Sequence, residues 1–229
     1  MSHTVHPYSH RIGIIRDWKS RWFAVGQGYK DALRGDVLLR EYLVKRLRGM
    51  YVSGIDMERG NNSLRIVIRT SRPGLIIGRS GEHMNKLRAD IDKTMRRLKI
   101  EKPPSFKIDV EEVRVPEADA AIVASMVAEG LERRMPFRRV MKQTIDKVMA
   151  TREVKGARIV LSGRLGGAEM SRTEDLKRGG IPLQTFRADI EFARERAHLP
   201  YGDIGIKVWI YRGEIFEKDA TLKKVSVRA

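Results

Sequence analysis

Apolar and polar residues alternate along 64–69, with Leu64, Ile66 and Ile68 on one side and Arg65 and Arg69 on the other, so this period of two predicts a half-buried strand. Further on the period lengthens to that of a helix, at Met84, Leu87, Ile91, Met95 and Leu98. Between them lies Pro73-Gly74-Leu75-Ile76-Ile77-Gly78-Arg79-Ser80-Gly81-Glu82, read as a glycine turn joining strand to helix, with Leu75, Ile76 and Ile77 as an apolar wall. Upstream, a helix is expected from about 31 to 49 with Leu33, Val37, Tyr42 or Val44 and Leu47 inward and Gly49 as its stop. A strand near 51–58 then turns at Gly60-Asn61-Asn62 into the strand over 63–70. Phe106, Ile108 and Val110 alternate with Lys107, Asp109 and Glu111 as a third strand.

The order helix, strand, strand, Gly-x-x-Gly, helix, strand describes one α+β domain, placed at 1–112 together with the N-terminal region. Within 7–25, Trp18 and Trp22 at i and i+4 are expected to anchor a short helix to a core, while His3, His6 and His10 read as a mobile N-terminus rather than metal ligands.

Val115-Pro116 marks the start of a second unit, at 113–215. A helix over about 117–134 buries Val123, Met126 or Val127 and Leu131. After Pro136 another follows with Phe137, Val140, Met141, Ile145 and Val148 inward. Strands are expected at 157–162, 167–173, 185–193 and 205–212, which makes a second α+β domain of two helices on a mainly antiparallel sheet. Lys177-Arg178-Gly179-Gly180 reads as a basic flexible loop, and 216–229 as a basic disordered tail.

Charge turns this frame towards a partner. Lys and Arg number 46 against 29 Asp and Glu, a net charge of +17, and self-repulsion on that scale points to a polyanion, nucleic acid before a membrane surface. No apolar run approaches the roughly 20 residues of a membrane span, and the polar start lacks the apolar core of a signal peptide. The chain has no Cys, which excludes disulfides and thiolate sites; an intracellular, cytoplasmic protein without cofactor or metal is expected.

Two features fit an RNA partner. Gly78 and Gly81 lack a Cβ, so a phosphate-sugar chain can approach the main chain and the amides that open the next helix, while Arg79 adds charge; Gly78, Arg79, Ser80 and Gly81 are the candidate clamp. Gly163-Arg164-Leu165-Gly166 and Gly202-Asp203-Ile204-Gly205 repeat the pattern but do not lead from a strand into an amphipathic helix. The second feature is a cationic helix face, Arg138, Arg139 and Lys142, preceded by Arg133 and Arg134, with Asp146 the only acid nearby, read as tracking phosphates. An enzyme alternative, a metal-dependent nuclease, places Mg²⁺ on carboxylates of Asp109, Glu111 and Glu112, although Asp109 and Glu111 share a strand face and Glu112 points away; another is a free RNA-binding regulator. No Gly-x-x-x-x-Gly-Lys-Ser/Thr motif for nucleotide hydrolysis occurs.

The Gly-x-x-Gly domain resembles a type II KH domain. The stretches Gly156-Ala157-Arg158-Ile159-Val160-Leu161-Ser162-Gly163-Arg164-Leu165-Gly166-Gly167-Ala168-Glu169, Thr185-Phe186-Arg187-Ala188-Asp189-Ile190 and Tyr201-Gly202-Asp203-Ile204-Gly205-Ile206-Lys207-Val208-Trp209-Ile210 are similar to the C-terminal domain of the bacterial small-subunit ribosomal protein S-three family. Arg11-Ile12-Gly13-Ile14 and Trp18-Lys19-Ser20-Arg21-Trp22-Phe23 resemble that family's N-terminus, although His6-Pro7 replaces its usual Asn-Pro opening. The resemblance implies a structural protein of the small-subunit head that binds small-subunit (16S) ribosomal RNA and meets neighbouring head proteins. It further implies that Arg138, Arg139 and Lys142 face the mRNA entrance and help to open mRNA structure. Arg11, Lys19, Arg164, Lys177 and Arg178 are the candidate ribosomal RNA contacts.

Overall fold

The computed structural model describes residues 5–60, 62–98, 100 and 104–216. In chain order the elements are α1 (Pro7–His10), β1 (Ser20–Arg21), α2 (Gln27–Arg46), β2 (Val52–Arg59), β3 (Ser63–Thr70), α3 (Pro73–Ile77), α4 (Glu82–Arg97), β4 (Ser105–Glu112), α5 (Ala120–Glu132), α6 (Phe137–Ala150), β5 (Gly156–Gly163), β6 (Arg172–Gly179), β7 (Ala188–Leu199) and β8 (Gly202–Glu214). They form two compact units, Trp18–Arg114 and a second made of Met1–Asp17 with Val115–Ala229.

The first unit is a sheet in the order β1-β2-β3-β4, with β2 and β3 antiparallel and β4 parallel to β3. The alternation read in β3 holds: Leu64, Ile66 and Ile68 are fully buried and pack with Leu87, Ile91 and Met95 of α4. Helix α2 forms where expected but turns a different face inward. Leu39, Leu43 and Leu47, at i, i+4 and i+8, reach the core, while Leu33, Val37 and Val44 stay exposed. The region of the two tryptophans is not helical; Trp18 is 61% exposed and Phe23 90%. Trp22 is anchored, its indole N–H donating at 2.7 Å to the buried carboxylate of Asp36, which also accepts from Arg59 Nε at 2.7 Å.

On the outer side of this sheet the charges alternate in sign from strand to strand. Arg21 pairs with Glu58 at 3.0 Å, Glu58 with Arg65 at 3.3 Å, Arg65 with Asp109 at 2.5 Å, and Arg69 with Asp56 at 2.9 Å. Asp109 is thus occupied by Arg65, and Glu111 stands opposite Arg69. No group of three or more potential metal ligands occurs among the described residues.

In the second unit α5 and α6 pack on the antiparallel sheet β6-β5-β8-β7, and the core lies between these two layers. Asp119 caps α5, accepting from Ala121 N at 2.9 Å and Ile122 N at 3.2 Å, and so starts this helix at Ala120 rather than near 117. Val140, Met141, Ile145 and Val148 form the buried stripe of α6, as its period predicts.

The expected basic loop at 177–180 is corrected. Lys177 and Arg178 are paired residues of β6, opposite Arg158 and Ala157. The glycines there serve close backbone approach: a Cβ on Gly156 would lie 2.1 Å from the carbonyl oxygen of Gly180, and one on Gly179 2.3 Å from that of Lys155. The strands expected at 167–173, 185–193 and 205–212 run instead over Arg172–Gly179, Ala188–Leu199 and Gly202–Glu214.

A second correction concerns the N-terminus, expected to belong with residues up to 112. Residues up to Asp17 fold with the second unit because Arg11 is fully buried there. Its guanidinium donates to the carbonyls of Ala188 (2.6 Å), Leu183 and Thr185 (2.9 Å each) and Pro7 (3.0 Å). Arg16 adds an ion pair with Asp189 at 2.5 Å, and the rings of His6 and His10 lie against Phe192 and Phe186. His3 and the tail over 217–229 lie outside the described residues.

Candidate RNA-binding surfaces

The Gly-x-x-Gly loop is built by two short turns. Helix α3 closes with the amide of Gly78 donating to the carbonyl of Gly74 at 2.9 Å, which makes Ile76 a core residue and leaves only Leu75 and Ile77 partly exposed. The expected apolar wall is therefore two residues, not three. Gly78 (φ 73°), Ser80 (φ 51°) and Gly81 (φ 79°) all have positive φ, so the chain reverses sharply before α4. A Cβ on Gly78 would lie 2.7 Å from the His83 ring, whereas one on Gly81 would meet nothing within 4 Å. Arg79 and Ser80 are exposed. Gly81 caps α4 without a side-chain bond, and the Glu82 amide that opens the helix donates to the Arg79 carbonyl, so the amides after it are the ones without a side-chain cap.

The cationic face lies on α6 and the end of α5. Arg138, Lys142 and Asp146 succeed one another at i, i+4 and i+8 alongside β6. Arg138 donates to Glu174 at 3.2 and 3.3 Å, and Asp146 accepts from Arg178. Lys142 falls between these two pairs and, like Arg139, is exposed with no ion pair of its own among the described residues. Arg133 pairs with Glu129, and Arg134 (φ 60°) is exposed where the chain turns into Pro136.

Sequence reasoning missed Glu174 and Arg172. Arg172 lies 3.4 Å from Glu174, and the guanidinium carbons of Arg138 and Arg172 each lie 5.6 Å from the centre of the Phe137 ring. The bond from Arg138 holds the Glu174 carboxyl below the usual Glu value, and the same bond raises Arg138. The charge-rich run Arg172–Gly179 has Leu176 as its only large apolar residue, so nothing in its pattern announced a strand beside α6.

The candidate ribosomal RNA contacts divide. Arg11 is corrected: wholly buried, its donors are taken by carbonyls, and burial lowers its pKa against the pull of Asp189. Arg164 is half-buried and bonds the carbonyls of Ala168 (2.8 Å) and Tyr201 (3.2 Å), which fixes the turn after β5. Lys19, Lys177 and Arg178 are exposed.

The first unit has the fold of a KH domain and the second is a separate sheet-and-helix domain, which together define a two-domain protein of nucleic-acid-binding architecture. The description "KH domain" matches residues 38–118, and "Ribosomal protein S3, C-terminal domain" matches 127–210. The chain is 46% identical over 215 residues to the small ribosomal subunit protein uS3 of Ectopseudomonas mendocina, covering 94% of this chain and 91% of that protein. Identity and coverage are the same for the relative in Stutzerimonas stutzeri; for Alcanivorax borkumensis the identity is again 46%, over 94% and 90%. The chain belongs to the bacterial ribosomal protein S3 family. Its members are structural rather than enzymatic, which sets the nuclease alternative aside.

Proposed function

We propose that the protein is a constituent of the small ribosomal subunit that binds 16S ribosomal RNA in the head, with the α6 face directed at incoming mRNA. The relatives are named as small-subunit proteins. The observation that carries the mRNA reading is the pair Arg139 and Lys142, two exposed cations on one helix with no acid paired to them among the described residues. Arg133, Arg134 and Arg138 extend the same face, although Arg133 and Arg138 are shared with Glu129 and Glu174.

Contacts of this kind bind phosphate without reading bases, so affinity falls steeply with salt. Unwinding is passive: cations hold a separated strand while translocation supplies the work. The Gly78–Gly81 loop is the single-strand clamp, with Arg79 over the phosphates and the α4 amides behind it. Neighbouring head proteins have an apolar stripe to dock on, Tyr29, Leu33, Val37 and Val44, exposed along one side of α2.

Tagging the chain in cells, fractionating a lysate on a gradient and sequencing the crosslinked RNA tests this reading. Co-migration with small subunits, with crosslinks to 16S ribosomal RNA and scattered mRNA, is expected. A free protein crosslinked to a few discrete RNAs is instead a KH-type regulator outside the ribosome.

A further inference from the structure

The sheet of the second unit has an outer side that the reading above does not use. Ala157, Ile159, Leu161, Ile206, Val208 and Ile210 face α5 and α6, so their alternates Arg158, Val160, Lys207 and Trp209 face the other way. The register on this outer side sets like charges against each other. Arg158 stands opposite Lys177 between β5 and β6, and Arg194 opposite Lys207 between β7 and β8. Directly opposed like charges destabilise a strand pair. Arg158 is relieved by Asp175 at 2.9 Å, but Lys177, Arg194 and Lys207 make no ion pair among the described residues. The first unit's outer sheet surface carries more acid: Arg65 stands opposite Lys107 there, but Glu58 and Asp109 both hold Arg65, and Arg69 is paired with Asp56.

We infer that the outer face of the β6-β5-β8-β7 sheet is a second RNA-docking surface, which takes the phosphate backbone of a double-helical segment of ribosomal RNA. The inference rests on the reading of the protein as a ribosomal RNA-binding constituent. Charge complementarity selects the polyanion, because a bound backbone neutralises the opposed cations that the fold itself leaves unpaired. Burial of the aromatic residues selects a helix over a single strand. Trp209 is 8% exposed, and Phe192 is half-buried under His6 with the Arg194 guanidinium 5.2 Å from its ring, so neither of these sheet-borne rings lies open to an unstacked base. Strand-borne cations at fixed spacing then read duplex shape. The α6 face lies across the sheet, so RNA docked here is not the strand held by Arg139 and Lys142.

The absence of Cys allows a single hydroxyl-radical probe to be tethered at Thr173→Cys, which shares the outer face opposite Ser162, or at Gln143→Cys on α6. Both chains are assembled into small subunits with and without mRNA. From position 173 the inference expects discrete cleavages in a paired segment of 16S ribosomal RNA, unchanged by mRNA. Cleavage that appears only with mRNA, or none at all while the probe at 143 reports normally, overturns the inference and leaves the proposed function standing. Chains that never enter subunits overturn both. On the free chain, Arg194→Gln with Lys207→Gln should weaken binding to a short RNA duplex about tenfold near 0.1 M salt and lower the salt slope by about 2. The same change should raise the melting temperature by about 1 °C, since a repulsion is removed. Unchanged duplex affinity, or loss confined to a poly(U) strand, contradicts the inference.

Discussion

Arg11 Nε donates at 2.6 Å to the carbonyl of Ala188, a residue 177 positions later in the chain. That bond and its companions fasten the first described segment onto the start of β7 and the 182–185 turn. Arg11→Ala would leave several buried carbonyls without donors, at a cost of about 3 kcal/mol. Urea denaturation should show the midpoint of the second unit falling with its slope retained, and Arg11→Lys should recover part of the loss. An unchanged midpoint contradicts the tether.

Glu174 holds Arg138 through two hydrogen bonds, and on the proposed function it competes with RNA for this arginine. The pair is screened by solvent and weak, so releasing the arginine should tighten single-stranded RNA binding by about two- to fivefold. Filter binding of Glu174→Gln measures this. Weaker binding would mean that Glu174 orients Arg138 for RNA instead of restraining it.

The two glycines of the loop should not respond alike. Both have positive φ, which costs an L residue about 1 kcal/mol, but only Gly78 also meets the His83 ring. Gly78→Ala is expected to destabilise the first unit by about 2 kcal/mol and Gly81→Ala by about 1. Gly81→Asp should fold while losing affinity for single-stranded RNA, because its carboxylate stands in the approach to the α4 amides. Undiminished binding by that folded variant removes the loop from the RNA contacts.

The Glu191 carboxyl is pushed above the ordinary Glu value by burial first and by Asp119 next, against Arg212 and Arg16. A folded-state pKa above the unfolded one means that the native state binds this proton more tightly. The contribution to stability is full below the unfolded value and is lost as pH rises through the raised one. Wild-type stability should therefore decline relative to Glu191→Gln as pH rises from about 4 towards neutrality. Denaturant midpoints across that range test the sign; a difference independent of pH contradicts it.

The elements that sequence reasoning located well are those with one strong period. β3, α4 and α6 each carry a single apolar stripe, and the structure buries those stripes. Helix α2 carries two, Leu33/Val37/Val44 and Leu39/Leu43/Leu47, and periodicity cannot tell which one a sheet will cover. β6 escaped notice because an edge strand rich in charge shows almost no apolar alternation. The cations of the α6 face were legible from charge alone, since no partner is needed to place them. Arg11 was not, because all its partners but Pro7 lie over 170 residues away, and a charged residue near a terminus reads as exposed until the fold closes over it.

On the proposed function, α6 meets mRNA as it enters. Translation by subunits carrying Arg138→Ala, Arg139→Ala and Lys142→Ala should be timed through a stable hairpin and through an unstructured message of equal length. A marked slowing at the hairpin and little change on the open message are expected. Equal slowing on both templates, or none on either, contradicts it.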